Sequence, residues 1–333
     1  MNATTEPSAP LPTDPASHAD DVPAMRIGSI APWYGAKRTI APAIVEELGD
    51  HSGYWEPFCG SLAVLFTKPP AAMEVVNDLH GDLINLARVV ASDRWEDLFC
   101  RLNRELMSDA AFQDAEDALA GPPVVAEAGA VAAEHVARAA AYMAASWMGR
   151  NGISGTHNSN RTIATRYTPG GGDGARRWRS AIESMPAWHV RLQNVHIKRM
   201  DAFEMIARVQ DHPRTAMYLD PPYLAKSDAY VHDFAPADHD RLAELLSRFV
   251  AARVVVSYYD HPRLDALYPP DRWTRRPVAA IKNLVQASPN GGRRRTAAPE
   301  VLLINGPSRS LATTRAHPPQ APSHAPIAGG LFL

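Results

Sequence analysis

Covalent staples and metal ligands are scarce in this chain. Its 333 residues include two cysteines, Cys59 and Cys100, with no CxxC pair. Neither a disulfide framework nor a zinc site is suggested, and a reducing cytoplasm is the expected compartment. The 13 histidines show no HExxH or comparable ligand spacing, so no metal is expected. No apolar run approaches the roughly 20 residues that a membrane-spanning helix needs. The opening text, MNATTEPSAPLPTDPASHADD, lacks the basic and apolar regions of a signal peptide and reads as a disordered lead-in. Also missing is a full Gly-x-Gly-x-x-Gly fingerprint, and with it the case for a nicotinamide-dependent dehydrogenase.

What is present is unevenly distributed. The net charge is only −2, yet residues 91–134 hold ten acids and three arginines, while 146–199 hold nine bases and two acids. The basic stretch is rich in Asn, Thr and Gly and can offer a phosphate backbone many donors, although a solvated face would look the same. Short apolar runs at 53–58, 72–77, 195–200, 216–219, 253–258 and 300–304 suit buried strands. Helical spacing appears over 37–48, through Ile40, Ile44 and Leu48, and over 238–250, through Leu242, Leu245, Leu246 and Phe249. Alternation of this kind argues for an α/β sheet with ligands at the carboxyl ends of its strands. Residues 92–190 break the rhythm with acidic helical text, an Ala-rich segment and the basic loop.

Three motifs carry chemistry. DPPY, at 220–223, directly follows the apolar run AMYL. Consecutive prolines fix backbone dihedrals and remove two N–H donors, so one rigid turn presents the Asp220 carboxylate, the Pro221 carbonyl and the Tyr223 ring. Two acceptors at fixed spacing suit an amino group with two hydrogens, and the ring suits a planar base. A plain strand-ending turn is the bland alternative. YWEPFCGSLAV, at 54–64, runs from a strand through Gly60 into a helix, the form of a nucleotide-binding junction. Asp78 closes the next apolar run, where an acid commonly binds ribose hydroxyls. A helix N-cap is its other reading. In PWYGAKRTIAPAI, at 32–44, Trp33 could cover an adenine or a sulfonium and Lys37 could meet a carboxylate. An ordinary helix start would look similar.

WYGAK, EPFCG, ND and DPPY, in that order, resemble the Dam-type (α-group) DNA adenine-N6 methyltransferase family. SWMGRNGISG (146–155) is similar to the opening of that family's recognition segment, and MDAFEMI (200–206) to the short motif preceding DPPY. ASPNGGRRRTAAPEVLLIN (287–305) is similar to its Asn-Gly hairpin and final strand. The resemblance implies a Rossmann-like α/β S-adenosylmethionine-dependent methyltransferase sheet built from 26–91 and 191–305. Residues 92–190 would be a mainly helical and loop target-recognition insertion, with 1–25 and 306–333 as disordered tails. It implies Trp33, Lys37, Glu56, Phe58, Gly60, Asp78, Asp201 and Asp220 as contacts of S-adenosylmethionine. Asp220, Pro221, Pro222 and Tyr223 would form the catalytic turn.

Double-stranded DNA is the implied partner, with no membrane and no metal, in a bacterial or phage-infected cell. A cognate restriction endonuclease, in a restriction–modification role, would act separately. Arg150, Asn151, His157, Asn158 and Arg161 would read bases, and Arg293, Arg294 and Arg295 would grip phosphates. The chain departs from the family pattern twice. The usual Gly-x-Gly is here Gly60-Ser61-Leu62, and no Arg follows Asn151-Gly152 until Arg161, so GATC recognition does not carry over. The expected reaction flips an adenine out of the duplex and stacks it on Tyr223, aided by Phe234 or another nearby aromatic. Asp220 and the Pro221 carbonyl then accept its amino hydrogens. The same acceptors would suit the N4 amino group of cytosine, and a catalytically silent DNA-binding relative would keep the same fold.

Overall fold

The computed structural model describes residues 24–33, 35, 37–125, 130–149, 163, 173–224, 234–278 and 300–310, and the backbone alone at 285–287 and 293–295. A 3₁₀ turn (Lys37–Thr39) precedes α1 (Ala41–Leu48), β1 (Gly53–Glu56), α2 (Ala63–Thr67), β2 (Met73–Asn77) and α3 (Gly81–Ala91). Then come α4 (Trp95–Asn103), α5 (Asp109–Leu119), α6 (Ala133–Met148), α7 (Gly174–Glu183), α8 (Met185–Leu192) and β3 (Val195–Lys198). The remainder forms α9 (Ala202–Ala207), β4 (Thr215–Leu219), α10 (Pro236–Ser247), β5 (Arg253–Tyr259), α11 (Leu264–Leu267) and β6 (Trp273–Val278). It ends with β7 (Val285–Ala287), β8 (Arg293–Arg295) and β9 (Glu300–Asn305). These elements divide between two compact units, one of Lys37–Cys59, Thr67–Val76 and Met200–Leu333, the other of Met1–Ala36, Gly60–Phe66 and Asn77–Arg199.

In the first unit the strands lie side by side in the order β2-β1-β4-β5-β9-β6. β1 is parallel to β2 and to β4, with Trp55 opposite both Val75 and Met217, and β4 is parallel to β5. Met217, Leu219, Val254 and Val256 are buried on one face and Ala216, Tyr218, Val255 and Leu302 on the other, as strands covered on both faces require. The chain leaves β1 towards β2 on one side, and β4 towards β5 on the other. The carboxyl ends of β1 and β4 therefore flank the point where strand order reverses, where open α/β sheets hold ligands. β9 runs antiparallel to both β5 and β6. An antiparallel strand begins at the edge where its parallel neighbours end, so Glu300, its first residue, pairs with Tyr259, the last of β5.

The helix expected over 37–48 is divided. Pro42 lacks an N–H and occupies the first turn of α1, leaving Lys37–Thr39 as a separate 3₁₀ turn. Ile40, Ile44 and Leu48 are nonetheless buried together. The second expected helix is α10, which buries Leu242 and Leu246 and stops before Phe249. The six expected strands all form. β6, at the sheet edge, was not foreseen: its text WTRRPV carries two arginines and a proline. Arg276 turns back to Glu46 and Glu47 of α1. Glu47 is fully buried and also accepts from Arg253, the Ser308 hydroxyl and the Arg309 N–H. The hairpin of β7 and β8 pairs Val285 with Arg295, and its turn lies outside the described residues.

The second unit is mainly helical. α6 buries eleven of its sixteen residues, and its small Ala139, Ala140, Ala144 and Ala145 allow close packing with α3 and α5. Arg138 fixes that arrangement: it pairs with Asp82 at the start of α3 and donates to the Ala118, Leu119 and Gly121 carbonyls at the end of α5. The indoles of Trp147 and Trp188 donate to the Ile30 and Ile27 carbonyls, tying down the segment before the 3₁₀ turn. β3 is joined to α3 by Arg88, which donates to the Ile197 carbonyl. The described part of 92–190 is thus the five helices α4–α8, packed in one unit with α2, α3 and β3.

Candidate catalytic cluster and cofactor loop

Asp220 follows the last residue of β4, at the carboxyl edge of the sheet. Its Oδ2 pairs with the Lys37 ammonium at 2.7 Å. Its Oδ1 accepts from the Ser257 hydroxyl of β5 at 2.8 Å and lies 3.1 Å from the Tyr223 hydroxyl. Behind Ser257, the Tyr218 hydroxyl is 2.9 Å away. A relay of donors thus aims at one carboxylate, and the two rigid prolines hold the turn that carries it. Pro221 is buried and Pro222 half-buried.

A second carboxylate joins this group. Glu300 accepts from the Tyr223 hydroxyl at 2.5 Å and lies 3.4 Å from the same Lys37 ammonium. Lys37 and Glu300 are each 7% exposed and Asp220 21%, so two acids share one cation with little solvent to screen them. Burial disfavours the charged lysine, but Asp220 and Glu300 outweigh it and hold the ammonium pKa above its ordinary value. Burial also pushes the Asp220 carboxyl up; Lys37 opposes this and Glu300 reinforces it, with a net upward shift. The Tyr223 phenol is raised well above its usual range by burial and by the two carboxylates.

Tyr223 itself is 4% exposed. Its ring meets Tyr259 edge-to-face at 4.3 Å, and the Lys37 ammonium lies 5.1 Å from its centroid. The ring expected to receive a base is enclosed by these groups. Phe58, half-buried after β1, meets Phe234 edge-to-face, and Phe234 stacks on Phe203 of α9. Glu56 is buried and accepts from the Tyr54 hydroxyl at 2.9 Å. Asp201 is exposed and caps α9, accepting from the Glu204 N–H.

The helical unit gathers a different subset of the expected residues. The Gly60 N–H donates to Asp78 Oδ2 at 2.9 Å, and the other oxygen of Asp78 accepts from the His80 N–H. His80, not Asp78, is the N-cap of α3, so the capping explanation of Asp78 is displaced by one that ties it to the glycine loop. Gly60 has φ +45°, and a Cβ there would lie 3.0 Å from Trp33 Nε1. Trp33 in turn stands edge-on to His80 at 5.4 Å. Leu62, where the resemblance called for a second glycine, has φ +62° with its side chain fully buried. The loop therefore keeps the left-handed backbone that glycine would supply, at a local cost, and repays it by burying leucine.

Trp33, Gly60 and Asp78 are thus brought together in one unit, and Lys37, Asp220 and Tyr223 in the other. Sequence reasoning missed Glu300 and Ser257, which sit in strand text with no motif of their own; the acid heading an otherwise apolar final strand was the available signal. Arg150, Asn151, His157, Asn158 and Arg161 lie outside the described residues, and Arg293, Arg294 and Arg295 are described as backbone only. Among the described residues no helix is long and apolar enough to cross a membrane.

A family model described as D12 class N6 adenine-specific DNA methyltransferase matches residues 33–276. No curated protein matches the chain. A solved structure of SMU.472, described as a methyltransferase and complexed with SAH, aligns over 81% of the chain at 10% identity with a TM-score of 0.32. The chain spans about half the length of that structure, 52%.

Proposed function

Because the chain belongs to the D12 class N6 adenine-specific DNA methyltransferase family, we propose that it methylates the exocyclic amino group of a flipped adenine in double-stranded DNA. The observation that carries this is the Asp220 carboxylate, fixed by Lys37 and Ser257 at the sheet edge where strand order reverses. Membership implies S-adenosylmethionine as methyl donor. The residues fit such a group: the absence of a Cβ at Gly60 lets the Trp33 indole lie against the loop, and Asp78, the residue after β2, holds the Gly60 N–H with its carboxylate. When bound, the donor supplies an electrophilic methyl.

Asp220 and the Pro221 carbonyl each accept one amino hydrogen, which turns the nitrogen lone pair out of conjugation. As the nitrogen gains its methyl, Asp220 takes the displaced proton, a role suited to a carboxyl whose pKa burial has raised. Lys37 stays protonated and holds Asp220 in place. Most of the rate comes from this positioning. For Tyr223 to stack on the base, its ring must leave the enclosure of Lys37 and Tyr259; otherwise its part is to anchor the turn that carries Asp220 through Glu300. Base reading by Arg150, Asn151, His157, Asn158 and Arg161, and phosphate binding by Arg293, Arg294 and Arg295, follow from the sequence pattern. A restriction endonuclease acting separately would be the counterpart of such an enzyme.

The test is direct. The protein is incubated with methyl-labelled S-adenosylmethionine and mixed-sequence duplex DNA, and the DNA is digested to nucleosides. Label in N6-methyl-2′-deoxyadenosine is the expected result. Label confined to cytosine, or no label, sinks the reading.

A further inference from the structure

We propose that Glu300 is a positioning residue for methyl transfer, drawing the Lys37 ammonium and the Tyr223 hydroxyl towards itself and so leaving Asp220 able to accept the substrate's amino hydrogens. The inference rests on Asp220 being the amino acceptor, as assigned above.

The geometry supports a division of labour between two acids. Tyr223 has one hydroxyl hydrogen and two carboxylates within reach, at 2.5 Å to Glu300 and 3.1 Å to Asp220. The shorter contact takes the hydrogen, because hydrogen bonds to charged oxygen strengthen as they shorten. Lys37 is held at 2.7 Å by Asp220 and also faces Glu300 at 3.4 Å. Without the second acid, one buried carboxylate would receive Ser257, Tyr223 and the whole charge of Lys37. Each of these donors competes with an incoming amino group for the same lone pairs.

With Glu300 present, two acids share one ammonium, and the cluster keeps an excess negative charge suited to a hydrogen-bond acceptor. The groups that face Asp220 are Lys37 from the 3₁₀ turn, Ser257 from β5, Tyr218 from β4, Tyr223 from its own turn and Glu300 from β9. Tyr258 of β5 feels the same charge from further off. Among these, Glu300 alone adds a second negative side chain. It reaches the site only because β9 runs antiparallel, which starts the strand at the catalytic edge.

The experiment compares the full chain with Glu300→Gln and Glu300→Asp, using labelled S-adenosylmethionine and mixed-sequence duplex DNA. It measures kcat, the KM for the donor and the pH profile of kcat/KM, which reports the free enzyme, with thermal melting as the folding control. Glu300→Gln is expected to lower kcat by roughly ten- to a hundredfold with little change in donor KM. Loss of its charge should move both limbs of the profile to lower pH, because Glu300 raises the pKa of both Asp220 and Lys37. A role in packing alone would leave the limbs in place. Glu300→Asp should fall between wild type and Glu300→Gln. A folded Glu300→Gln with wild-type kcat and unmoved limbs overturns the inference. Should that variant not fold, wild-type kcat in Glu300→Asp overturns it instead. A wild-type chain that puts no label into adenine overturns the assigned function first, and this inference with it.

Discussion

Tyr259 and Glu300 face each other across the antiparallel pair of β5 and β9, and this register is what assembles the cluster around Asp220. Tyr259 packs its ring against the edge of Tyr223, while Glu300 takes the Tyr223 hydroxyl. One ladder position therefore clamps both ends of the same phenol, and through it the turn that bears Asp220. A shift of β9 by one residue would send Glu300 to the face of the sheet opposite Tyr259. The clamp would be lost without any change in composition.

Asp220→Asn keeps the shape of the side chain and removes its charge. Lys37 retains Glu300 as a partner, so the variant should fold. Methyl transfer should fall by about 10²–10³-fold, while DNA binding stays near the wild-type level. Single-turnover transfer and a DNA-binding titration, run on the same preparation, separate the two effects. Full transfer by the variant would remove Asp220 from its assigned role.

The pH profile of transfer should show two limbs. Activity needs Asp220 ionised, and its raised pKa puts the acid limb above the ordinary aspartate value of 3.8. It also needs Lys37 protonated. That pKa is raised above 10.5, so the alkaline limb lies beyond the usual lysine range. Steady-state kcat/KM, which reports the free enzyme, measured across the range where the fold is intact tests both. An acid limb at or below 3.8 would contradict the buried setting of Asp220.

Several of these residues were legible in the sequence and others were not, for physical reasons. DPPY, Gly60 and Asp78 stood out because strand ends need residues with special backbone behaviour or short polar side chains, which punctuate apolar text. Five of the six expected strands were visible because strands covered on both faces read as continuous apolar runs, while β3, with no buried residue, showed only as alternating text. β6 was hidden because an edge strand tolerates charge and proline: Pro277 lies at the sheet edge, and Arg275 pairs with Asp265. Glu300 was hidden because its importance depends on strand direction. No local pattern tells whether a final strand runs parallel or antiparallel, and only the latter brings its first residue to the edge that carries Asp220.

Glu47 contributes to the acid stability of the sheet unit. Burial alone would raise its pKa, but hydrogen bonds from Ser308, the Arg309 N–H and Arg276 outweigh it, so the folded value lies below 4.5. A depressed carboxyl contributes stability that is present above the unfolded value and lost as pH falls through the folded one. Melting temperature should therefore decline as pH drops below 4.5. Glu47→Ala should lower stability at neutral pH by about 3–5 kcal/mol, because Arg253 and Arg276 lose a buried partner. The same variant should show a shallower acid decline. An equal decline in both proteins would show that other groups control it.

Gly60 is constrained twice. Its φ of +45° strains any residue with a Cβ, and that Cβ would press on Trp33 Nε1 at 3.0 Å. Gly60→Ala should weaken S-adenosylmethionine binding by about tenfold or more, since roughly 1–2 kcal/mol of backbone strain must be met or relieved by moving the loop. Adding Trp33→Ala removes the steric half of the problem and leaves the backbone half. Against a Trp33→Ala background, then, the glycine substitution should cost less than it does alone. Isothermal titration with the four proteins of this cycle gives the coupling directly, and strict additivity would mean that the indole contact does not matter.

Leu62 offers the sharpest test of how this loop is stabilised. Its side chain is fully buried while its backbone sits at φ +62°, so burial and backbone strain oppose each other at one residue. Leu62→Ala discards the burial, keeps the strain and should cost about 2–5 kcal/mol. Leu62→Gly discards slightly more burial, but it relieves a left-handed conformation worth roughly 1–2 kcal/mol. At an ordinary helical or strand position alanine is the more stable of the two by about 0.5–1 kcal/mol. Here the order should invert, with the glycine variant melting above the alanine variant and both below wild type. Chemical denaturation of the three proteins measures this. If alanine proves the more stable, the left-handed backbone at position 62 is not what opposes its buried side chain.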